Sequence, residues 1–297
     1  MMRTTDMLVS IGLPVRNGAD TMRDAVKSVL EQDHERLELV ISDNASTDDT
    51  EEFCRELARS DNRVVYHRHP HDVGIIKNFR YVQTLAKGTF LRWMGDDDAL
   101  EPGCVSKSLE VFAEDPRLIL VTAGMSYNEP DGTVMTPPAY RETGLLSDDP
   151  VDRLAEILRV LTAEHLLLDP LYALVRREQV AALPRPVMIR EDEVFAMILA
   201  LAAPWGHVPE VLSSRNLRRR RLPDVAHTLG VPGWTAHFAN TLQFRAVLQH
   251  LNTLDLTPEQ IRRARAEVAK TYLRRQKQTL SRRSRKVVRL ATGGGRR

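Results

Sequence analysis

Four times between Met7 and Ala113, a short apolar run gives way to a polar loop and then to a stretch with apolar residues at helical spacing. Met7 to Pro14 is followed by Ala19 to Leu30, and Leu37 to Ser42 by Thr50 to Ala58. Arg63 to His67 is followed by Lys77 to Ala86, and Thr89 to Met94 by a helix from Pro102 to about Ala113. Short strands alternating with helices require crossover connections, which place the strands parallel in one sheet and gather the polar loops at one edge. The expected class is therefore α/β, with a largely parallel sheet flanked by helices.

The loop after the fourth strand carries three adjacent carboxylates, Asp96, Asp97 and Asp98. Side chains alternate faces along a strand, so a run of like charges cannot be buried there without a compensating cation. The strand must stop at Gly95. At the carboxyl end of a strand in an open α/β sheet, the cluster faces the crevice where ligands bind. Oxygen ligands there suit Mg2+ or Mn2+, which take one or two carboxylates and complete their shell with substrate phosphates. The local alternative is an acidic cap before the helix that Pro102 opens.

Further along, Leu118 to Ala123 reads as a central strand, Glu129 to Thr133 as a turn, and Met135 to Pro150 as a loop near the cleft. Asp152 to Leu161 is amphipathic, and Leu166 to Val175 mixes a buried run with Asp169-Pro170. Ile189 to Glu193 opens an apolar helix from Val194 to Ala203, and His207 to Leu212 is a short return strand. A basic run from Arg215 to Arg221 precedes two long helices, Gly233 to Leu251 and Pro258 to Leu290, and the terminal Gly-Gly-Gly-Arg-Arg is expected to be disordered. The formal net charge of +2 conceals a division: 20 of the 42 Lys and Arg residues lie after Ser214, against 4 acidic ones. Two units are expected, residues 1–214 and a basic helical extension, 215–297. Cys54 and Cys104 show neither metal spacing nor a disulfide framework, which suits a reducing, cytoplasmic setting. Neither a secretory h-region nor a bilayer-length apolar run is present, since the longest, Val194 to Trp205, is too short.

Read together, the loops resemble those of the family 2 glycosyltransferases, whose GT-A fold is that of nucleotide-diphospho-sugar transferases. The resemblance runs from about Leu8 to Leu212. It rests on Pro14-Val15-Arg16-Asn17-Gly18 after the first strand, Ala25 to Gln32 in the first helix, and Asp43 to Asp48 after the second strand. Asp72-x-Gly74, Asn78, Ala86-x-Gly88, the acidic triplet with Leu100-x-Pro102, and Glu191-Asp192 ahead of Val208 to Leu212 complete it.

What the resemblance implies is an inverting, metal-dependent transfer of a sugar from a nucleotide-diphosphate donor to an acceptor hydroxyl. It makes Pro14, Val15, Arg16 and Asn17 one wall of the nucleotide pocket, with Arg16 where the family usually carries an aromatic ring. It makes Asp43 the acceptor of the base N–H, although locally Asp43 also reads as a turn residue before the Thr50 helix. Asn44 and Gly74 fall in the same pocket, and Lys77 is placed to reach the diphosphate. Asp97 matches the metal-contacting carboxylate, with Asp98 beside it and Asp96 as a helper; Gly95 stands where many members carry a further aspartate. Asp192 matches the catalytic base, with Glu191 as fallback. Tyr172 or Trp205 offers a sugar-stacking ring, Trp93 reads as core or cleft wall, and acceptor contacts are expected from Met135 to Pro150 and Leu166 to Arg176. His67, His69 and His71 lack zinc-site spacing.

The basic helices suit an anionic membrane surface, at the inner face of which the enzyme would be peripheral, or contacts within a homo-oligomer, or packing against the acidic front of the chain. The rival reading is a nucleic-acid- or membrane-binding protein on a catalytically degenerate scaffold of this fold. Basic residues without interleaved aromatics argue against single-strand stacking.

Overall fold

The chain alternates as its apolar pattern dictates: β1 (Val9–Val15), α1 (Met22–Leu30), β2 (Leu37–Asp43), α2 (Thr50–Ser60), β3 (Val64–Arg68), α3 (Ile75–Leu85) and β4 (Phe90–Trp93). A computed structural model describes residues 3–163, 166–217 and 220–292, with side chains to Thr279 in the last helix. After β4 come a two-residue strand β5 (Ala99–Leu100), α4 (Cys104–Glu114), β6 (Leu120–Asn128), β7 (Val134–Met135) and α5 (Pro150–Ala163). Then follow β8 (Leu174–Arg176), α6 (Arg177–Ala181), α7 (Glu191–Ala202), β9 (Trp205–Asn216), α8 (Leu222–Leu229), α9 (Ala239–Leu251) and α10 (Pro258–Thr292).

The sheet runs β3-β2-β1-β4-β8-β6-β9-β5, with β7 on β6. Its first half is parallel as expected. The second is mixed: β8 lies antiparallel between β4 and β6, β6 pairs parallel with β9, and β5 pairs antiparallel with β9. Most of the pairing is parallel, as expected; what the pattern did not show is the antiparallel entry of β8, because a three-residue strand carries no periodicity to read.

Helices cover both faces. One apolar cluster joins Val9, Ile11 and Leu13 to Met22 and Val26 of α1 and to Val105 and Leu109 of α4. The other joins Leu91, Trp93 and Val175 to α5 and to α7, whose residues from Val194 to Leu201 are all buried. An all-round apolar helix has only that place to go. Each such Leu or Val contributes roughly 1.5–3 kcal/mol by burial, so Leu199→Asp would break this layer.

The C-terminal helices share that second cluster through Phe244, Val247, Leu251, Ala264 and Val268. Arg263 pairs with Asp149 and Asp152, and the buried Arg275 donates to Glu193 (2.6 Å) and to the Leu161 carbonyl (2.8 Å). The boundary expected at 214/215 falls inside β9, which runs unbroken to Asn216. Arg218, Arg219 and the terminal Gly-Gly-Gly-Arg-Arg lie outside the described residues. The helix expected from Gly233 begins instead with a 3-10 turn, Gly233–His237, and α8 lies between that turn and the basic run, where no helix was expected. Among the described residues, no helix is long and apolar enough to cross a membrane. Cys54 and Cys104 are buried free thiols.

Candidate active site

The loops leaving β1, β2 and β3 are tied to one another before any ligand is considered. Asn17 accepts from the Thr47 N–H (2.8 Å) and donates its own N–H to Ser46 (2.9 Å). The Asn44 side chain donates to Asp72 (2.7 Å) and accepts from the Val73 N–H (2.8 Å), while Arg16 pairs with Asp72. Asn17 and Ala45 hold positive φ, at 56° and 55°. Left-handed backbone costs an L-residue about 1–2 kcal/mol and persists where surrounding contacts over-determine it, as these do. Gly18 is required by a close approach, since a β-carbon there would meet Val15 at 2.5 Å and Asp96 at 3.0 Å.

These loops and the acidic loop enclose a cavity of about 550 Å³ at the carboxyl edge of the parallel strands. Pro14, Val15, Arg16, Asn17, Asn44, Gly74 and Asp96 line it as expected. Asp43 and Lys77 are not brought to it. Asp43 is fully buried, accepting from the Ser46 N–H (2.8 Å) and the Tyr66 hydroxyl (2.9 Å), with Arg68 at 3.5 Å. Its carboxylate serves the turn before α2, which is the local alternative. Lys77 is exposed because α3 turns Ile75, Asn78 and Phe79 toward the cleft, and residue 77 falls on another face. Among the described residues, Arg16, Arg215 and Arg220 are the cations that line the cavity.

The three aspartates also line this cavity, in unlike surroundings. Asp96 accepts from the Thr21 hydroxyl (2.7 Å). Asp97 is half-buried, its carbonyl accepting from Asn216 (2.6 Å). Asp98 is buried, accepts from the Gly95 N–H (3.1 Å) and faces the Arg215 guanidinium at 3.5 Å. Burial pushes the Asp98 carboxyl up to about 6; Arg215 opposes that rise and Asp97 adds to it. Adjacent oxygen donors, one half-exposed and one ionised only at a cost, fit a hard divalent cation. Among the described residues no three His, Cys, Asp or Glu side chains form a closed cage, and Mg2+ characteristically completes its shell with water and phosphate.

A second cavity of about 240 Å³ shares Ile75, Phe79, Tyr172 and Arg215 with the first. Asp192 lines it from the first turn of α7, whose cap Arg190 is the third residue at positive φ, 62°. Asp192 is exposed to solvent at the mouth of this cavity, with protein close behind it. That partial desolvation, with Glu193 and Glu191 adjoining, pushes its carboxyl up to about 6. Glu191, the expected fallback base, lines the same cavity but is already engaged. It is buried, and both its oxygens accept from Arg185 (2.8 and 2.9 Å). That guanidinium in turn lies over the rings of Phe79 and Phe195, each at 5.2 Å.

Arg215, outside the expected set, joins the two cavities, and Asp169, within the segment expected to meet the acceptor, lines the second and pairs with Arg215. Arg215, the last residue but one of β9, bridges Asp98 and Asp169 and lies 3.9 Å from the centre of the Tyr172 ring. Asp169 caps the 3-10 turn Pro170–Tyr172, accepting from the Leu171 N–H (3.2 Å). Asp-Pro was the available signal for Asp169; for Arg215 none separated it from the basic run. Tyr172 stands in both cavities, whereas Trp205 and Trp93 are core residues, each 2% exposed. From the expected acceptor loops, Leu171 and Tyr172 reach the cleft, while Tyr140 and Leu145 pack in the core beside α5. His207, in β9, is held near Thr122 (2.9 Å), and burial lowers it to about 4. His67 and His69 pack with the Tyr81 ring, so they serve as packing groups.

Residues 10–180 match the family model described as Glycosyl transferase family 2. The chain belongs to that family. TuaG of Bacillus subtilis, a glycosyltransferase named for teichuronic acid biosynthesis, is 27% identical over 188 residues, 62% of this chain and 69% of that protein. The chondroitin synthase of Pasteurella multocida is 33% identical over 128 residues, 43% of this chain but 13% of its own length. Residues 1–349 of S. aureus TarS superpose with a TM-score of 0.64 at 16% identity, covering 90% of this chain and 72% of that one. The glycosyltransferase thus has the GT-A architecture, with its curled mixed sheet and flanking helices.

Proposed function

We propose that this glycosyltransferase moves a sugar from a nucleotide-diphosphate donor to an acceptor hydroxyl with inversion at the anomeric carbon, using Mg2+ or Mn2+. The observation that carries the reading is the pair of joined cavities: the acidic loop opens into one, Asp192 into the other, and Arg215 and Tyr172 belong to both. Asp192 takes the proton of the acceptor hydroxyl as its oxygen attacks the anomeric carbon, and the nucleotide diphosphate leaves from the opposite face. A base that titrates near 6 is ionised at neutral pH yet basic enough to accept that proton. Asp97 and Asp98 would hold the divalent ion, which when bound neutralises charge on the leaving diphosphate. Arg215 and Arg16 add fixed positive charge on the same side.

Two solved relatives of the fold support this donor class: TarS in complex with UDP-GlcNAc, and a Pyrobaculum calidifontis mannosyltransferase in complex with GDP-Man and Mn2+ (TM-score 0.52). The acceptor is a hydroxyl of a glycan, a lipid-linked sugar or a small molecule. A screen of UDP-, GDP- and dTDP-sugars with Mn2+, read as slow donor hydrolysis, tests the reading. Asp97→Ala is expected to lose metal-dependent donor binding, and Asp192→Asn to keep binding and lose transfer. Undiminished turnover in Asp192→Asn would remove the base.

A further inference from the structure

A second surface lies on the C-terminal helices, apart from the cleft. Antiparallel α9 and α10 leave between them a groove of about 630 Å³ floored by Phe244, Leu248, Val268, Ala269 and Tyr272. One end of it is strongly apolar and open. Phe238 (55% exposed) precedes α9 one turn before Thr241, whose hydroxyl lies 3.2 Å from that of Tyr272; Leu273 (59% exposed) follows. Trp234 (56% exposed) adds its ring 6.3 Å from that of Phe238. Large side chains exposed together in this way mark a surface that is covered in use.

The charges around the groove say by what. From Pro232 to Thr279 the sequence has eight Lys and Arg residues against Asp255, Glu259 and Glu267, and α9 itself has no acidic residue. Arg263 and Arg275 are engaged with the front of the chain. Of the other six, Lys270 pairs with Glu267, and Arg245 and Arg265 line the groove itself. A second copy is a poor partner, because a two-fold interface sets this patch against itself and opposes like charges. An aromatic corner beside an apolar groove lined by arginines is the composition that enters a lipid headgroup layer.

We infer that this face seats on an anionic bilayer. Trp234, Phe238 and Leu273 enter the headgroup layer, the groove takes up apolar lipid surface, and Arg245 and Arg265 meet lipid phosphates. The seat adjoins the site, because α8 packs on the turn that carries Trp234 and also lines the cleft through Val225, Thr228 and Leu229. The inference does not depend on the donor or the base.

The protein carries its own reporter. Of its three tryptophans, Trp93 and Trp205 are buried, so only Trp234 changes surroundings on docking. With full-length protein, vesicles of phosphatidylcholine plus phosphatidylglycerol should shift Trp234 emission to the blue and carry the protein down in sedimentation. Vesicles of phosphatidylcholine alone should do neither. Phe238→Asp with Leu273→Asp should lower partitioning by about tenfold or more, and raised salt should lower it too. Should that variant misfold, Arg245→Gln with Arg265→Gln, which leaves the apolar corner intact, should also weaken partitioning several-fold. Unshifted emission with anionic vesicles, or partitioning indifferent to both variants, overturns the proposal. So does a wild-type dimer that the Phe238/Leu273 variant splits, since a second copy would then be what covers the face.

Discussion

The two sides of the cleft are held together differently. On the nucleotide side, the loops after parallel strands are locked loop to loop by hydrogen bonds such as Asn17 to Thr47 and Asn44 to Asp72. On the side of the base, ion pairs do the holding: Arg185 to Glu191, six residues on, and Arg215 to Asp98 and Asp169 and Arg275 to Glu193 across long separations. The first arrangement follows from topology, because parallel strands bring their carboxyl-end loops together. The second depends on buried charge being paired, so its failure costs stability as well as activity.

The sharpest test of this contrast lies within one turn of α7. Asp192→Asn should lower turnover by about 10²–10⁴-fold with donor affinity unchanged, since it removes the base and no packing partner. Neighbouring Glu191→Gln should do the reverse. Depriving the buried Arg185 of its carboxylate should cost about 3 kcal/mol in urea unfolding, while turnover per folded molecule falls less than tenfold. If Glu191→Gln abolishes turnover in a fully stable protein, the division of labour within α7 is wrong.

Arg215→Met should rank next, at about 2–3 kcal/mol, because Asp98 and Asp169 lose their shared cation while retaining some solvent. It should also raise the Asp98 pKa beyond its present position, measurable by carboxyl-resonance titration. Behaviour like that of a surface arginine would break the claim that this residue joins the two cavities.

Acidity should move activity and stability in opposite directions. Turnover should rise with pH through about 6, by up to about tenfold per unit on the acid side, as Asp192 ionises. Asp98 and Asp192 both titrate higher in the folded chain than their ordinary 3.8, so between about 4 and 6 the folded state binds more protons than the unfolded one. Their joint contribution to stability therefore falls as pH rises through that window. A melting temperature insensitive to Asp192→Asn at neutral pH and at pH 4 alike would contradict this. The smallest effect belongs to Lys77→Ala: exposed and away from the cavity lining, it should alter donor affinity by less than about twofold.

Much of the nucleotide side was legible in the sequence. The four repeats from Met7 to Ala113 gave strands and helices whose bounds shift by only a few residues, and placed Asp96 to Asp98 at the strand edge where they stand. Local pattern could not show which way a side chain turns. Asp43 and Lys77 carry suitable chemistry at suitable spacing, but one closes its own turn and the other faces away. On the other side, Glu191 and Asp192 are adjacent carboxylates in a first helical turn, and only Arg185 tells them apart.

The sequence by itself determined the alternating α/β plan, the parallel half of the sheet and the gathering of polar loops at its edge, because apolar periodicity and chain connectivity leave few alternatives. Tertiary structure alone decided that β8 enters antiparallel, that Arg215 leaves the basic run to bridge Asp98 and Asp169, and that Arg275 anchors the last helix beside α7. The last two outcomes rest on pairing buried charge across long separations. Such pairing is set by the energy of the whole packed chain rather than by any window of it.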